Sequence, residues 1–163
     1  MTFQVARMNE QESAAWLGLI TVCQLLPAAL DSQLKQDSGM THFEFFVLSV
    51  LRFAPEQTMR MTALAETTSS TLPRLSHVCS RLEKRGLADR FPCPEDGRAT
   101  NVRLTPEGRS ALVRAMPGHL ATARRLVIDA LSPEQLDALA QVTEVIRGRL
   151  DGDGQPARAT PFG

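Results

Sequence analysis

Apolar residues recur along most of this chain at steps of three and four, the spacing of helices that each bury one stripe. Across residues 12–36 the set Trp16, Leu19, Ile20, Cys23, Leu26, Leu30 and Leu34 keeps this step. The period continues beyond Pro27, so the missing donor of that proline is expected to bend the helix without ending it. Gly39 closes the segment. Thr41 is placed to cap a second helix, in which Phe43, Phe46, Val47, Val50, Leu51 and Ala54 carry the period up to Pro55. A short extended piece at 59–61 leads into a small third helix capped by Thr62 and containing Leu64 and Ala65, and the polar run 67–70 then reads as a turn.

The stretch TLPRLSHVCSRLEKRG, residues 71–86, carries the most informative pattern. Thr71 suits an N-cap, Pro73 falls in the first turn where a missing donor costs little, and Gly86 can close the helix in a left-handed conformation. At about 100° per residue, Leu72, Leu75, Val78, Cys79 and Leu82 gather on one side, with Pro73, Arg74, His77, Arg81, Lys84 and Arg85 on the other. One face should pack, and the other is polar and mostly basic. Residues 87–91 and 100–104 read as the strands of a hairpin whose long tip holds Pro92, Pro94 and the turn pair Asp96-Gly97. Thr105, Pro106 and Glu107 open another helix, expected to run to Leu131 with a kink at Pro117-Gly118. A capping box at Ser132 to Gln135 opens the last helix, ending near Leu150, and the Gly/Pro-rich tail should be mobile.

Composition narrows the classes. The chain has 163 residues, enough for one domain with helical extensions and too few for a two-domain enzyme. Its apolar stretches are broken by polar residues before the roughly 20 needed to cross a bilayer, and no secretory leader pattern is seen, so the reading is a cytoplasmic protein with no membrane partner. Cys23, Cys79 and Cys93 lack metal-site spacing, which implies neither a disulfide framework nor a metal, and no cofactor is indicated. The 18 basic and 18 acidic residues balance, which argues against an indiscriminate polycation. Between Thr71 and Arg103, however, seven basic residues (Arg74, Arg81, Lys84, Arg85, Arg90, Arg98, Arg103) face four acidic ones (Glu83, Asp89, Glu95, Asp96).

A short helix, a polar turn, a helix with a basic outer face and a basic hairpin is the order of a winged helix-turn-helix, and a helix fits the major groove of duplex DNA. Thr71, Pro73, Arg74 and His77 are the candidates to reach base edges, with Arg74 the best donor for a guanine. Ser69, Ser70 and Arg81 are placed to hold phosphates, and Arg98 to enter the minor groove. Plainer readings stand beside these: a solvated basic face, Arg98 paired with Asp96, and an incidental His77. The fold class is therefore mainly α, a winged helix-turn-helix with N- and C-terminal dimerisation helices. The divisions are an N-terminal helix (1–36), a DNA-binding region (37–104), C-terminal dimerisation helices (105–150) and a flexible tail (151–163). The terminal segments carry apolar stripes, including Leu17, Leu25, Leu139, Val142, Val145 and Leu150, that a small winged domain could not cover alone and a second subunit could.

The segments RMTALAETTSSTLPRLSHVCSRLEKRGL and PCPEDGRATNVRLTPEG resemble the MarR family of bacterial transcriptional regulators, over about residues 12–150. The resemblance implies a homodimer that binds a palindromic operator, with Arg98 in the minor groove and Asp96 bracing the wing through an ion pair to a basic residue, Arg81 being the candidate. Pro73 departs from the flexible polar residue many relatives carry. The resemblance also implies repression relieved by a small aromatic acid; Trp16, Ile20, His42, Phe45 and Phe46 are candidates for lining its pocket, or else ordinary core. Redox sensing through Cys23 is disfavoured by its place on the apolar stripe, Cys79 should be buried, and Cys93 should be the most exposed of the three. An enzyme lacks a motif here, and a winged helix that binds protein instead of DNA is the stronger alternative.

Overall fold

The computed structural model describes residues 5–94 and 96–152. Along these residues run the helices α1 (Glu10–Ser38), α2 (His42–Phe53), α3 (Met61–Thr67), α4 (Leu72–Lys84), α5 (Pro106–Leu126) and α6 (Pro133–Gly152), with strands β1 (Thr58–Arg60), β2 (Ala88–Cys93) and β3 (Asp96–Leu104). The architecture is mainly helical, with a small antiparallel sheet in the order β1-β3-β2. Most of the expected tail, from residue 153 on, lies outside the described residues.

Local chemistry explains most boundaries. Asn9 and Glu12 form a capping box at the start of α1, and Thr41 and Glu44 form one at the start of α2. Gly39 at φ 64° and Gly86 at φ 69° occupy the left-handed region that ends helices. Thr71 and Thr105 cap α4 and α5, each with a proline in the first turn. Thr62 does not cap α3: Arg60 occupies that position without a side-chain bond, because β1 passes directly into the helix.

Three further expectations are corrected. The hairpin tip is shorter than expected, since β3 already begins at Asp96 and Pro92 pairs with Thr100. Pro92 is tolerated there because β2 is an edge strand, where an absent donor breaks no ladder. Helix α5 runs through Pro117 and ends at Leu126, followed by a 3-10 turn at Ile128–Ala130. At Gly118 the helix crosses α1 closely: a Cβ there would stand 2.8 Å from Asp37 Oδ2 and 3.1 Å from Gln33 Nε2. Leu72, expected on the packed side of α4, is exposed, while Leu75, Val78, Cys79 and Leu82 are buried.

The core joins the C-terminal end of α1 (Leu34) to α2 (Val47, Leu48, Leu51), α3 (Leu64), α4 (Leu75, Leu82), β3 (Val102) and α5 (Leu112). The start of α5 is pinned to the end of α4. Thr105 Oγ1 donates to Gly86 O at 2.7 Å, and a Cβ on Gly108 would lie 1.9 Å from Leu87 O, so only glycine fits.

The first half of α1 and most of α6 lie outside this core. Trp16, Leu17, Leu19, Val22 and Leu25 are exposed, as are Leu139, Val142, Val145 and Leu150. Helix α1 contains an 18-residue window of mean hydropathy 1.6, long and apolar enough by composition to cross a membrane, which corrects the expectation that polar residues would break every such run. Polar Ser13, Thr21 and Gln24 interrupt the apolar sequence there without adding charge.

Candidate nucleic-acid interface

The turn between α3 and α4 is built from Thr68 to Thr71. Ser69 adopts φ 51°, which reverses the chain so that Ser70 and Thr71 lead into the N-terminus of α4. Ser70 Oγ donates to Thr71 O at 3.3 Å, and Thr71 Oγ1 accepts from Arg74 N at 3.4 Å. Thr71, Leu72, Pro73, Arg74 and His77 all face solvent, and Ser69 beside them does too. The first turn of α4 thus presents a continuous exposed surface at the positive end of the helix dipole.

Ion pairing sorts the basic residues of this region. Arg81 Nε donates to Glu44 Oε1 at 2.9 Å. Arg85 donates to Gly39 O at 3.1 Å and lies 3.7 Å from Glu44 Oε2. Arg90 of β2 pairs with Glu83 of α4 at 2.6 Å, and Arg103 with Asp89 at 3.3 Å. Arg74, Lys84 and Arg98 have no ion-pair partner among the described residues and are exposed. Arg74 instead rests on a ring: its guanidinium carbon is 4.4 Å from the centroid of Phe43, at the start of α2.

Glu44 organises the junction between α2 and α4. Its side chain is 4% exposed, and it accepts from Thr41 N at 2.8 Å as well as from Arg81. Burial would raise its pKa, but the Thr41 backbone bond and the Arg81 guanidinium outweigh this and hold it below the usual carboxylate range.

At the wing, the expected pairing of Asp96 with Arg81 is not formed, because Glu44 already holds Arg81. Asp96 lies 3.8 Å from Arg60 at the end of β1, and its Oδ1 accepts from Arg98 N at 3.2 Å. That backbone bond holds the wing turn while leaving the Arg98 side chain exposed. Arg60 also donates to Cys93 Sγ at 3.6 Å. Cys93 is buried, not the most exposed thiol as expected, because β2 extends to include it; Cys23 is the exposed one, the apolar side of α1 being uncovered. Cys79 is buried as expected, and burial pushes its thiol up to about 11.

The aromatic candidates do not form one cluster within the chain. His42 N donates to Asp31 Oδ1 at 2.9 Å, and Trp16 lies so far before Asp31 on the same helix that about 22 Å separates them along the axis at 1.5 Å per residue. Ile20 stands roughly 16 Å away by the same measure. Phe45 is buried core, and Phe46 packs against that core. The partner that sequence reasoning missed is His119 of α5, whose ring stacks on His42 with centroids 6.0 Å apart and meets Phe45 at 4.4 Å. Its Nδ1 is buried without a partner, as is Gln33 Oε1 on α1. Burial lowers the pKa of both histidines; for His42 the Asp31 carboxylate opposes this, and for His119 the neighbouring His42 adds to it. Among the described residues no group of three or more His, Cys, Asp or Glu side chains could hold a metal ion.

A model described as MarR family matches residues 38–99. The crystal structure of Sco3205, a MarR family transcriptional regulator from Streptomyces coelicolor in complex with DNA, is 35% identical, with a TM-score of 0.85 over 97% of each chain. AbsC, a MarR family transcriptional regulator from the same organism, is 32% identical, with a TM-score of 0.84 over 91% of this chain and 100% of its own. A mutant of MarR from E. coli complexed with operator DNA shares the fold at 22% identity, with a TM-score of 0.74 over 87% of this chain and 99% of its own.

Proposed function

Since this chain belongs to the MarR family of transcriptional regulators, we propose that it is a cytoplasmic, homodimeric repressor that reads a palindromic operator in double-stranded DNA. The observation that carries this reading is the sorting of charge. Carboxylates neutralise the inner arginines, while Arg74 at the start of α4 and Arg98 on the wing remain exposed without an ion pair among the described residues. In this reading α4 enters the major groove, Thr71, Pro73, Arg74 and His77 face base edges, and Ser69 and Ser70 face phosphates. Arg98 enters the adjacent minor groove, where charge and not base identity is sensed. Arg81, tied to Glu44, contributes through its outward N–H groups.

The uncovered apolar faces of α1 and α6 support the dimer, since a monomer would leave Leu25, Val142, Val145 and Leu150 in water. A two-fold axis would set the recognition helices about one DNA turn, roughly 34 Å, apart. The stacked His42 and His119, with Phe45 and the unpartnered polar atoms beside them, support a small aromatic ligand that binds near this junction and relieves repression. No catalytic role is proposed.

The test is to select bound fragments from genomic DNA with the full chain and measure affinity for the recovered duplex as salt rises. Log affinity should fall linearly with log salt, with a slope set by the phosphates contacted. Arg98→Ala should weaken all duplexes alike, whereas Arg74→Ala should also flatten base preference at one position of each half-site. A flat salt response, or identical behaviour of the two variants across operator substitutions, would refute the assignment.

A further inference from the structure

Arg74 and Arg81 lie two turns apart on α4, and adjacent residues at the start of α2, Phe43 and Glu44, receive them in chemically different ways. Glu44 takes the Nε proton of Arg81 and so uses up part of its hydrogen-bonding fork. Phe43 offers Arg74 only a ring face, which attracts the charge through the ring quadrupole and accepts no edge N–H. Arg74 has no ion pair among the described residues. We propose that Phe43 is a positioning residue for sequence readout: its ring holds the Arg74 guanidinium in the orientation that offers the donor fork to a guanine in the major groove.

The inference rests on the reading of Arg74 as a base-contacting residue and adds the element that orients it. A free arginine on a surface samples many rotamers and loses that freedom when it grips a base edge, so a platform that already limits them lowers the cost of recognition. Phe43 can serve as one because it is fixed. Its ring is half-buried against the core, and the helix turn that carries it is held by the Thr41–Glu44 capping box and by the bond from His42 N to Asp31. A bidentate arginine contact discriminates guanine only when both N–H groups meet O6 and N7 together, so orientation bears on base choice more than on general affinity.

The experiment uses the full chain, a duplex selected by that chain from a random library, the same duplex with each alternative base at the position Arg74 reads, and an unrelated duplex. Phe43→Leu keeps apolar volume and removes the ring face; Phe43→Met is a second such variant should the first fold poorly, and Phe43→Trp keeps a face. The Leu or Met variant should lose about two- to five-fold in guanine preference at that one position, with unrelated-duplex binding unchanged. Phe43→Trp should retain the preference, and adding Phe43→Leu to Arg74→Ala should change nothing further. A uniform loss on every duplex, or an equal loss in the Arg74→Ala background, would overturn the proposal in favour of a purely packing role. If Arg74→Ala leaves base preference intact, the base-reading premise falls and the platform with it, whereas an active Arg74→Ala beside a silent Phe43→Leu overturns the platform alone.

Discussion

Removing the Glu44 carboxylate should loosen α4 from α2 by an amount that can be reckoned from its partners. In Glu44→Ala, Thr41 N loses the acceptor at 2.8 Å that completes the cap of α2, at a cost of about 1 kcal/mol. Arg81 loses its acceptor at 2.9 Å, but its side chain is 41% exposed, so water replaces part of the bond. After that screening about 1 kcal/mol remains for the pair, and the emptied buried site adds a similar amount. The expected loss is about 2–3 kcal/mol, or roughly 5–10 °C in Tm for a chain of this size, measured by thermal unfolding at fixed protein concentration. Glu44→Gln keeps an acceptor oxygen and should lose about half as much. The pH dependence sharpens the test. The folded-state pKa of Glu44 lies below its unfolded value, so its contribution is present above about pH 4.3 and is lost as pH falls through the folded value. The difference between wild type and Glu44→Gln should therefore narrow as pH falls into that acid range. An equal gap at neutral and acid pH, or an alanine variant as stable as wild type, would refute the reasoning.

Three other outcomes are expected. Gly108→Ala should cost about 3 kcal/mol or more in urea unfolding, because the new Cβ would collide with the Leu87 carbonyl at 1.9 Å and the start of α5 would have to move. The histidine pair should make the fold acid-sensitive: both folded pKa values lie below the unfolded one, so the unfolded chain binds more protons and stability drops as pH falls below about 6.5. His119→Phe should flatten that Tm-versus-pH curve, and an unchanged curve would remove the pair as its cause. With its thiol at about 11, Cys79 should stay unreactive to a thiol probe at neutral pH until the protein unfolds, so Cys79→Ser should leave the native labelling rate unchanged.

The elements were legible where their signals are local. Thr41, Thr71, Thr105 and Ser132 each announce a helix start through bonds that span three residues, and the buried face of α4 follows from its period. What escaped depends on how helices cross. The Glu44–Arg81 bond joins residues 37 apart, and nothing in the spacing says that α2 begins beside α4. The same blindness assigned Asp96 to Arg81 when β1 brings Arg60 to it, and missed both the Phe43 ring under Arg74 and His119 beside His42. Within one chain, the length of α1 keeps Trp16 apart from His42, a separation that residue type alone does not convey. Leu72 followed the period yet remained exposed, because periodicity states which side a residue takes and not how far the neighbouring helix extends over it.

The pinning of α5 to the end of α4 makes the longer helix a lever arm. Its 21 residues span about 32 Å at 1.5 Å per residue. With Gly108 leaving no slack against Leu87 and Thr105 bonded to Gly86, the joint between α4 and α5 is tightly packed. A tilt of about 5° imposed at the far end would carry the near end by roughly 3 Å, close to the rise of one base pair. Half-site spacing in a two-fold assembly would then respond to the angle between paired helices about as steeply as to the insertion of a nucleotide.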